Sequence, residues 1–477
     1  MWLLILAAGA ILVQGYHPFV EDGEIYAPGI KQQLNPALYP YNSGFFASHA
    51  HLTLFPNLIA ESIRITHLPV EWGLMTWQFL SIFFLLLACW RLGRLAFRDP
   101  LAPWGGVALV GSLLTIPVAG TSLYIMDQYL TTRSLSAPAV IFILVNALER
   151  KPGRAALWAI FCVLIHPLMA VFGLSYAALV VGMSRTEIAS RAPASAALAL
   201  PFGFFPPVTD AYREVLETRS YFFLLRWAWY EWLGLAAPMA LLWWFHRIAR
   251  QQALPVLDLL CRALLGFAAF YFAVSVAITV PPGMARFAEL QPMRYLHLVY
   301  ILLFVFAGGL LAQFVCQRHV GRWLLLFVPL CAGMAFAQRQ LFPATPHLEW
   351  PNAAPSNDWV QAFVWIRQHT PPDAYFALDP NLMTLAGEDQ HGFRAIAERS
   401  RLADRRKDSG AVIMFPALAE FWREQVRAQD GWPGFEVEDF RRLKQEFGVD
   451  WIVVERPGVA GMDCPYRNRR VAVCRVN

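Results

Sequence analysis

A polytopic α-helical membrane protein carrying a small soluble α/β domain at its C-terminal end is the fold class this sequence predicts. Three observations predict it. Of 477 residues, 57% are hydrophobic and only 15% charged, where soluble domains carry nearer a quarter. The 18 Trp and 35 Phe are of the kind enriched at membrane–water interfaces. Runs long enough to span hydrocarbon, about 17 to 25 residues as helix, recur to residue 340 and then stop. The net charge of +5 is spread over many short loops, which does not suggest a nucleic-acid partner; the composition makes the lipid bilayer the surrounding medium.

The first run, "MWLLILAAGAILV", lacks a basic n-region and has no small-x-small cleavage site before Tyr16. It therefore reads as a first helix rather than a signal peptide. Spans are expected near 1–18, 72–96, 104–124, 133–149, 155–183, 193–207, 221–245, 255–281, 293–316 and 321–340. Basic clusters at 91–99, 149–154, 184–191, 246–250 and 317–322 assign those ends to the cytoplasm. Segment 155–183 then has basic loops at both ends. It contains "LIHPLMA", and proline disrupts a helix by removing a backbone donor. Splitting it at His166-Pro167 gives about 11 transmembrane helices, with the N-terminus cytoplasmic and the C-terminal domain extracytoplasmic. A single kinked or re-entrant helix is the alternative.

With that topology the transmembrane domain covers 1–343, with a long first extracytoplasmic loop at 19–71. Loops 121–133, 206–220 and 281–294 and the His166-Pro167 turn share its face. Every one carries polar or ionisable groups, and a membrane protein that gathers such groups on one face is expected to work there. Residues 344–477 form the α/β domain. A polar, proline-bearing linker precedes an amphipathic helix that Asn357 or Asp358 could cap. A Pro-Pro turn and a short strand follow. Further on, "PALAEFWREQVRAQ" and "VEDFRRLKQEFG" read as helices, and "VDWIVVE" and "RRVAVCRV" as strands. Cys464 and Cys474 could pair across a hairpin or stay separate thiols.

The first loop opens with "EDGEIY", three acids (Glu21, Asp22, Glu24) beside the membrane face. A solvated loop is the plain reading. Against it, the residues that follow are apolar and aromatic enough to pack, and a packed carboxylate near low dielectric is costly unless paired or ligated. Asp127 is a second acid at an outer helix end, with Arg133 as its plain partner. Two carboxylates from separate loops, Asp22 and Asp127, could also share a divalent ion such as Mg or Mn. His166 is either a turn residue or a functional one. His49 and His51 have the spacing of one strand face and are a weak metal signal. Arg294 either snorkels to water or clamps phosphate with its paired donors.

The order of these features resembles the GT-C glycosyltransferases, which use polyprenyl-linked sugars. A first helix leads to an acidic motif (Glu21-Asp22), a second acid follows in the next outer loop (Asp127), and an outer α/β domain ends the chain. The stretches "WIRQHTPPDAYFAL", "RAIAERSRLADRRK" and "FGVDWIVVE" also look like the tails of bacterial membrane proteins of this type. The resemblance implies an inverting transfer from a polyprenyl-phosphate sugar to an acceptor at the outer face of the bacterial cytoplasmic (inner) membrane. Carried onto this chain, Asp22 is the first choice of base and Glu21 the second, and Asp127 orients or binds metal. Arg294, His166 and Arg133 are the phosphate-binding candidates. No "WWD"-type motif is present, so transfer to an Asn sequon is not expected. A transporter or lipid flippase would instead place ionisable groups at the bilayer midplane; Arg226 and Glu231 are the main pair of that kind. A non-catalytic scaffold is the third class.

Overall fold

Backbone polar groups in hydrocarbon have to be satisfied within the segment, so apolar runs cross a membrane as helices. The fold, a computed structural model, describes residues 1–186 and 208–477. Its N-terminal part runs α1 (Trp2–Gln14), α2 (Gly23–Leu34), α3 (Gly44–His51), α4 (Phe55–Thr66), α5 (Val70–Ala96) and α6 (Ala102–Ser112). A two-residue ladder follows, β1 (Pro117–Val118) with β2 (Leu123–Tyr124), then α7 (Thr132–Leu148), α8 (Pro152–Ile165) and α9 (Pro167–Thr186). After the undescribed stretch come α10 (Asp210–Glu217), α11 (Trp229–Gln251), α12 (Pro255–Thr279), α13 (Tyr295–Leu310) and α14 (Val320–Leu341).

Five of the described helical units are long and apolar enough to cross a membrane: α5, α9, α12, Pro292–Cys316 (which contains α13) and α14. α1, α7 and α8 are apolar but shorter. The bundle core joins side chains of α1, α5, α6, α7, α9, α12 and α13. Small residues let two of these helices touch: a side chain at Gly105 or Gly308 would collide with the backbone of the other, the close approach typical of membrane helix pairs. α1 is held in the bundle by Gln14, whose amide donates to the Ser112 carbonyl at 2.9 Å.

Several expected spans come out differently. The 104–124 run is not one helix: α6 ends at Ser112, and the chain turns into the β1–β2 ladder at Pro117, where proline supplies no backbone donor. The 221–245 run opens with 3₁₀ turns at Ser220–Phe222 and Leu224–Arg226, so α11 begins only at Trp229. Arg226 and Glu231 therefore sit at the start of that helix rather than mid-span, and Glu231 accepts the Ala228 N–H at 2.8 Å. The break at His166-Pro167 is present between α8 and α9. The expected span 193–207 and most of the 184–191 basic cluster lie outside the described residues.

The first loop folds as α2–α4 and packs under the C-terminal region. There, α15 (Asp358–His369) begins at Asn357, whose side-chain oxygen accepts the Trp359 N–H at 2.8 Å and the Val360 N–H at 3.2 Å. β3 (Tyr375–Leu378), α16 (Phe393–Ala397), β4 (Ser400–Arg401), α17 (Asp408–Met414), α18 (Ala419–Ala428), α19 (Val437–Phe447), β5 (Trp451–Glu455), β6 (Tyr466–Arg467) and β7 (Val471–Arg475) follow. The sheet order is β4-β3-β5-β7-β6, with β4, β3 and β5 parallel and β7 antiparallel to both β5 and β6. A disulfide joins Cys464 to Cys474.

Buried polar contacts fasten the first loop to this sheet layer. Glu24 is 0% exposed and accepts the backbone N–H groups of Arg394 at 3.1 Å and Ala395 at 3.0 Å. The Arg394 guanidinium lies 3.3 Å from Glu24 and grips Asp408 with two bonds of 2.9 Å. Asn42 donates to the Arg401 carbonyl at 2.9 Å. A third joint holds the linker, with His17 2.6 Å and His391 3.0 Å from the Glu349 carboxylate.

Candidate active site

The acids of "EDGEIY" part company within four residues. Glu21 adopts a left-handed φ of 51°, uncommon for a side chain of its kind, and the Gly23 N–H closes a turn on the Val20 carbonyl at 2.8 Å. That turn aims Glu21 and Asp22 at a cavity and sends Glu24 the other way, into Arg394. Glu21 pairs with the Lys407 ammonium. Asp22 accepts from Lys407 through one oxygen at 3.0 Å and from Arg133 through the other at 3.2 Å. Its side chain is 30% exposed, and that exposure faces the cavity, because Asp22 lines it.

Asp127 enters from the loop between β2 and α7. It is 4% exposed and lies 2.8 Å from Nη2 of Arg133, the same nitrogen that reaches Asp22. Arg133 is fixed because it sits in the first turn of α7, which Thr131 and Ser134 cap reciprocally. Gln78 of α5 donates to the Asp127 carbonyl at 2.7 Å and holds the loop down. The two carboxylates expected from separate loops thus meet through one guanidinium.

The cavity, about 980 Å³, is lined by all six residues given catalytic or phosphate-binding roles in the sequence: Glu21, Asp22, Asp127, Arg133, His166 and Arg294. The side chain of Arg294 has no hydrogen-bond or carboxylate partner among the described residues, and its buried Nε is unsatisfied. His166 sits at the helix break and also lines the space. His49 belongs to α3, a helix rather than a strand, so His51 diverges to the exterior. His49 lines the cavity, with Nε2 3.3 Å from the Tyr26 hydroxyl.

Burial and charge act in opposite directions here. Burial disfavours an ionised Asp22, but Lys407 and Arg133 outweigh it and hold the carboxyl well below the usual carboxylate range. Burial raises Asp127, with Arg133 opposing and Asp22 adding to the rise. Lys407 is raised: burial lowers it, and Asp22 and Glu21 more than compensate. Burial lowers His49 to about 4, so its ring is neutral at neutral pH. Burial also pushes Glu24 up to about 7 against the pull of Arg394, although every group aimed at its oxygens is an N–H donor.

A divalent ion would need several converging oxygens. Among the described residues no group of three or more His, Cys, Asp or Glu is arranged for one. Arg133 occupies the position between Asp22 and Asp127, and Lys407 takes the other Asp22 oxygen. As arranged, this donor set does not suit a metal.

Lys407, Arg406 and Arg219 also line the cavity, and none was singled out in the sequence. The signal available was "ADRRKDSG", a basic run next to acids, which in a soluble domain reads as a solvated face. No family model matches the chain, and no curated protein matches it. Among solved structures it is similar to the archaeal oligosaccharyltransferase AglB from Archaeoglobus fulgidus, in complex with an inhibitory peptide and a dolichol-phosphate. That similarity has a TM-score of 0.44 at 12% identity, covering 95% of this chain and 69% of that chain. A likeness this distant assigns no family.

Proposed function

We propose that the chain is a membrane glycosyltransferase that moves a sugar from a polyprenyl-phosphate donor to an acceptor at the extracytoplasmic face. One observation carries the reading. Asp22 is kept ionised by two cations yet opens onto a cavity that the unpartnered Arg294 also lines. A carboxylate and a free guanidinium at one membrane-side space are what this transfer needs.

Asp22 takes the proton of the acceptor hydroxyl or amine, whose lone pair forms the new bond to the anomeric carbon. The bond from that carbon to the phosphate oxygen breaks as the new one forms, inverting the centre. Its electron pair leaves with the lipid phosphate, where Arg294, with His166 beside the cavity, meets the developing charge. Asp127 holds Arg133, and Glu21 shares Lys407 with Asp22. A carboxylate bound by two cations is a weak base. A donor phosphate that draws Arg133 toward itself raises the proton affinity of Asp22 at the moment the acceptor needs it.

The test is sugar transfer by purified protein in lipid, with a panel of polyprenyl-phosphate sugars, with and without Mg or Mn. Turnover by wild type that vanishes in folded Asp22→Asn supports the reading. Equal turnover in that variant removes Asp22 as the base. Metal-dependent turnover would restore Asp22 and Asp127 as ligands and require Arg133 to move. No turnover with any donor, in protein that scrambles polyprenyl lipids across vesicles, would favour a flippase.

A further inference from the structure

The cavity is lined by five acids (Glu21, Asp22, Asp127, Glu231 and Glu289) and five cations (Arg133, Arg219, Arg294, Arg406 and Lys407), but the ion pairs leave some of those cations without a carboxylate. Lys407 is matched by Glu21 and Asp22, and Arg133 by Asp127 and Asp22. Arg294 is left for the donor phosphate. Two further guanidiniums, Arg219 and Arg406, line the same space. Among the described residues neither has a carboxylate within salt-bridge distance.

Their positions are built. Arg219 follows α10 and is only 7% exposed. It donates to the Arg406 carbonyl and lies so close to α17 that a Cβ on Gly410 would sit 2.8 Å from its Nη2. Arg406 is half-buried, and its buried Nε has no partner. Lys407 stands next in the chain and feels the Arg219 charge. Holding such cations away from bulk water with no carboxylate in contact is costly, and guanidinium geometry matches phosphate oxygens.

We propose that Arg219 and Arg406 form a second anion subsite in this cavity, distinct from Arg294, that binds a phosphoryl group. This rests on the cavity being a substrate site and goes beyond the single donor phosphate assigned above. Two sources share that chemistry: the second phosphate of a diphosphate-linked lipid, or a phosphate carried by a separate substrate such as the acceptor.

Binding separates them without any need for turnover. Full-length protein in neutral-lipid nanodiscs would be titrated with polyprenyl phosphate and polyprenyl diphosphate. Inorganic phosphate would then be titrated onto protein already saturated with polyprenyl phosphate. Wild type would be compared with Arg406→Gln, Arg406→Lys and Gly410→Ala, each checked for an unchanged unfolding temperature. If the lipid supplies both phosphates, the diphosphate binds about tenfold more tightly than the monophosphate, and Arg406→Gln erases that preference while monophosphate affinity holds. If a second substrate supplies the group, the two lipids bind alike and inorganic phosphate binds the saturated protein. Arg406→Gln then weakens that phosphate binding about tenfold. Arg406→Lys should recover part of either effect. Gly410→Ala, which displaces Arg219, should weaken the same binding as Arg406→Gln. Affinities for all three probes within twofold of wild type in a folded Arg406→Gln would overturn the subsite, whatever the outcome for sugar transfer.

Discussion

The cavity has two walls of different origin. The membrane wall presents Arg133, His166 and Arg294 from ends of apolar helices and Asp127 from the loop before α7, and the C-terminal wall presents Arg406 and Lys407 just before α17. Asp22 lies between them and bonds to both, to Arg133 on one side and Lys407 on the other. The membrane wall is set by helix packing in a low dielectric, so its charges are few and each has a stated partner or a ligand to meet. The C-terminal wall is set by a buried ion-pair network that ends at Glu24, two residues beyond Asp22. The difference teaches that the first loop divides its acids: Glu21 bonds to the C-terminal wall, Asp22 to both walls, and Glu24 fastens the loop itself to the C-terminal region.

Removing the shared group should have the largest effect. Asp22→Asn is expected to cut sugar transfer by roughly 10²–10⁴-fold with little change in unfolding temperature, read by initial rates beside a melt. Breaking the fastening should cost stability instead. Arg394→Met leaves Glu24 and Asp408 buried without their cation, a loss of about 3–5 kcal/mol, seen in denaturant or thermal unfolding of the detergent-solubilised protein. A variant as stable as wild type would mean that the first loop is held to the C-terminal region elsewhere.

Lys407→Gln should lower activity less than Asp22→Asn. It removes one charge-assisted bond to Asp22 and one to Glu21, and about a 10- to 100-fold drop in kcat is expected, with Lys407→Arg recovering most of it. If only KM rises, Lys407 binds substrate and does not position Asp22.

The smallest effect is a pH-dependent one at the linker joint. Burial lowers His391, but Glu349 outweighs it, so its pKa in the fold is raised. Burial raises Glu349, but His391 and His17 draw it down to about 2. The His391 contribution is complete below the unfolded imidazole value, about 6.5, and is lost as pH rises through its raised value in the fold. The Glu349 contribution is present above its unfolded value and is lost as pH falls toward about 2. Wild type should therefore exceed His391→Gln in stability by about 1 kcal/mol near pH 6, with the gap closing in alkaline buffer. A gap that widens with pH contradicts the sign.

The sequence made the membrane wall legible because ionisable groups beside long apolar runs are conspicuous and expensive. Asp22, Asp127, Arg133, His166 and Arg294 all stood out for that reason. The cap at Asn357 and the strands at "WIVVE" and "VAVC" were equally readable from local chemistry. The C-terminal wall was not. α16 and α17 are five and seven residues long, too short for a periodic signal, and a basic run in a soluble segment is ordinarily solvated. Nor could residue types reveal that a left-handed Glu21 would turn Glu24 away from Asp22. The 104–124 run misled because apolar composition was read as length, although Pro117 already marked the end.

The central claim is that Asp22 acts on a substrate that other groups bind. The most direct measurement pairs donor binding with single turnover in wild type and Asp22→Asn, using a polyprenyl-phosphate sugar that wild type consumes. Donor affinity within a fewfold of wild type, with no sugar transferred from the bound donor, is the expected result. Single turnover at the wild-type rate in Asp22→Asn would contradict it.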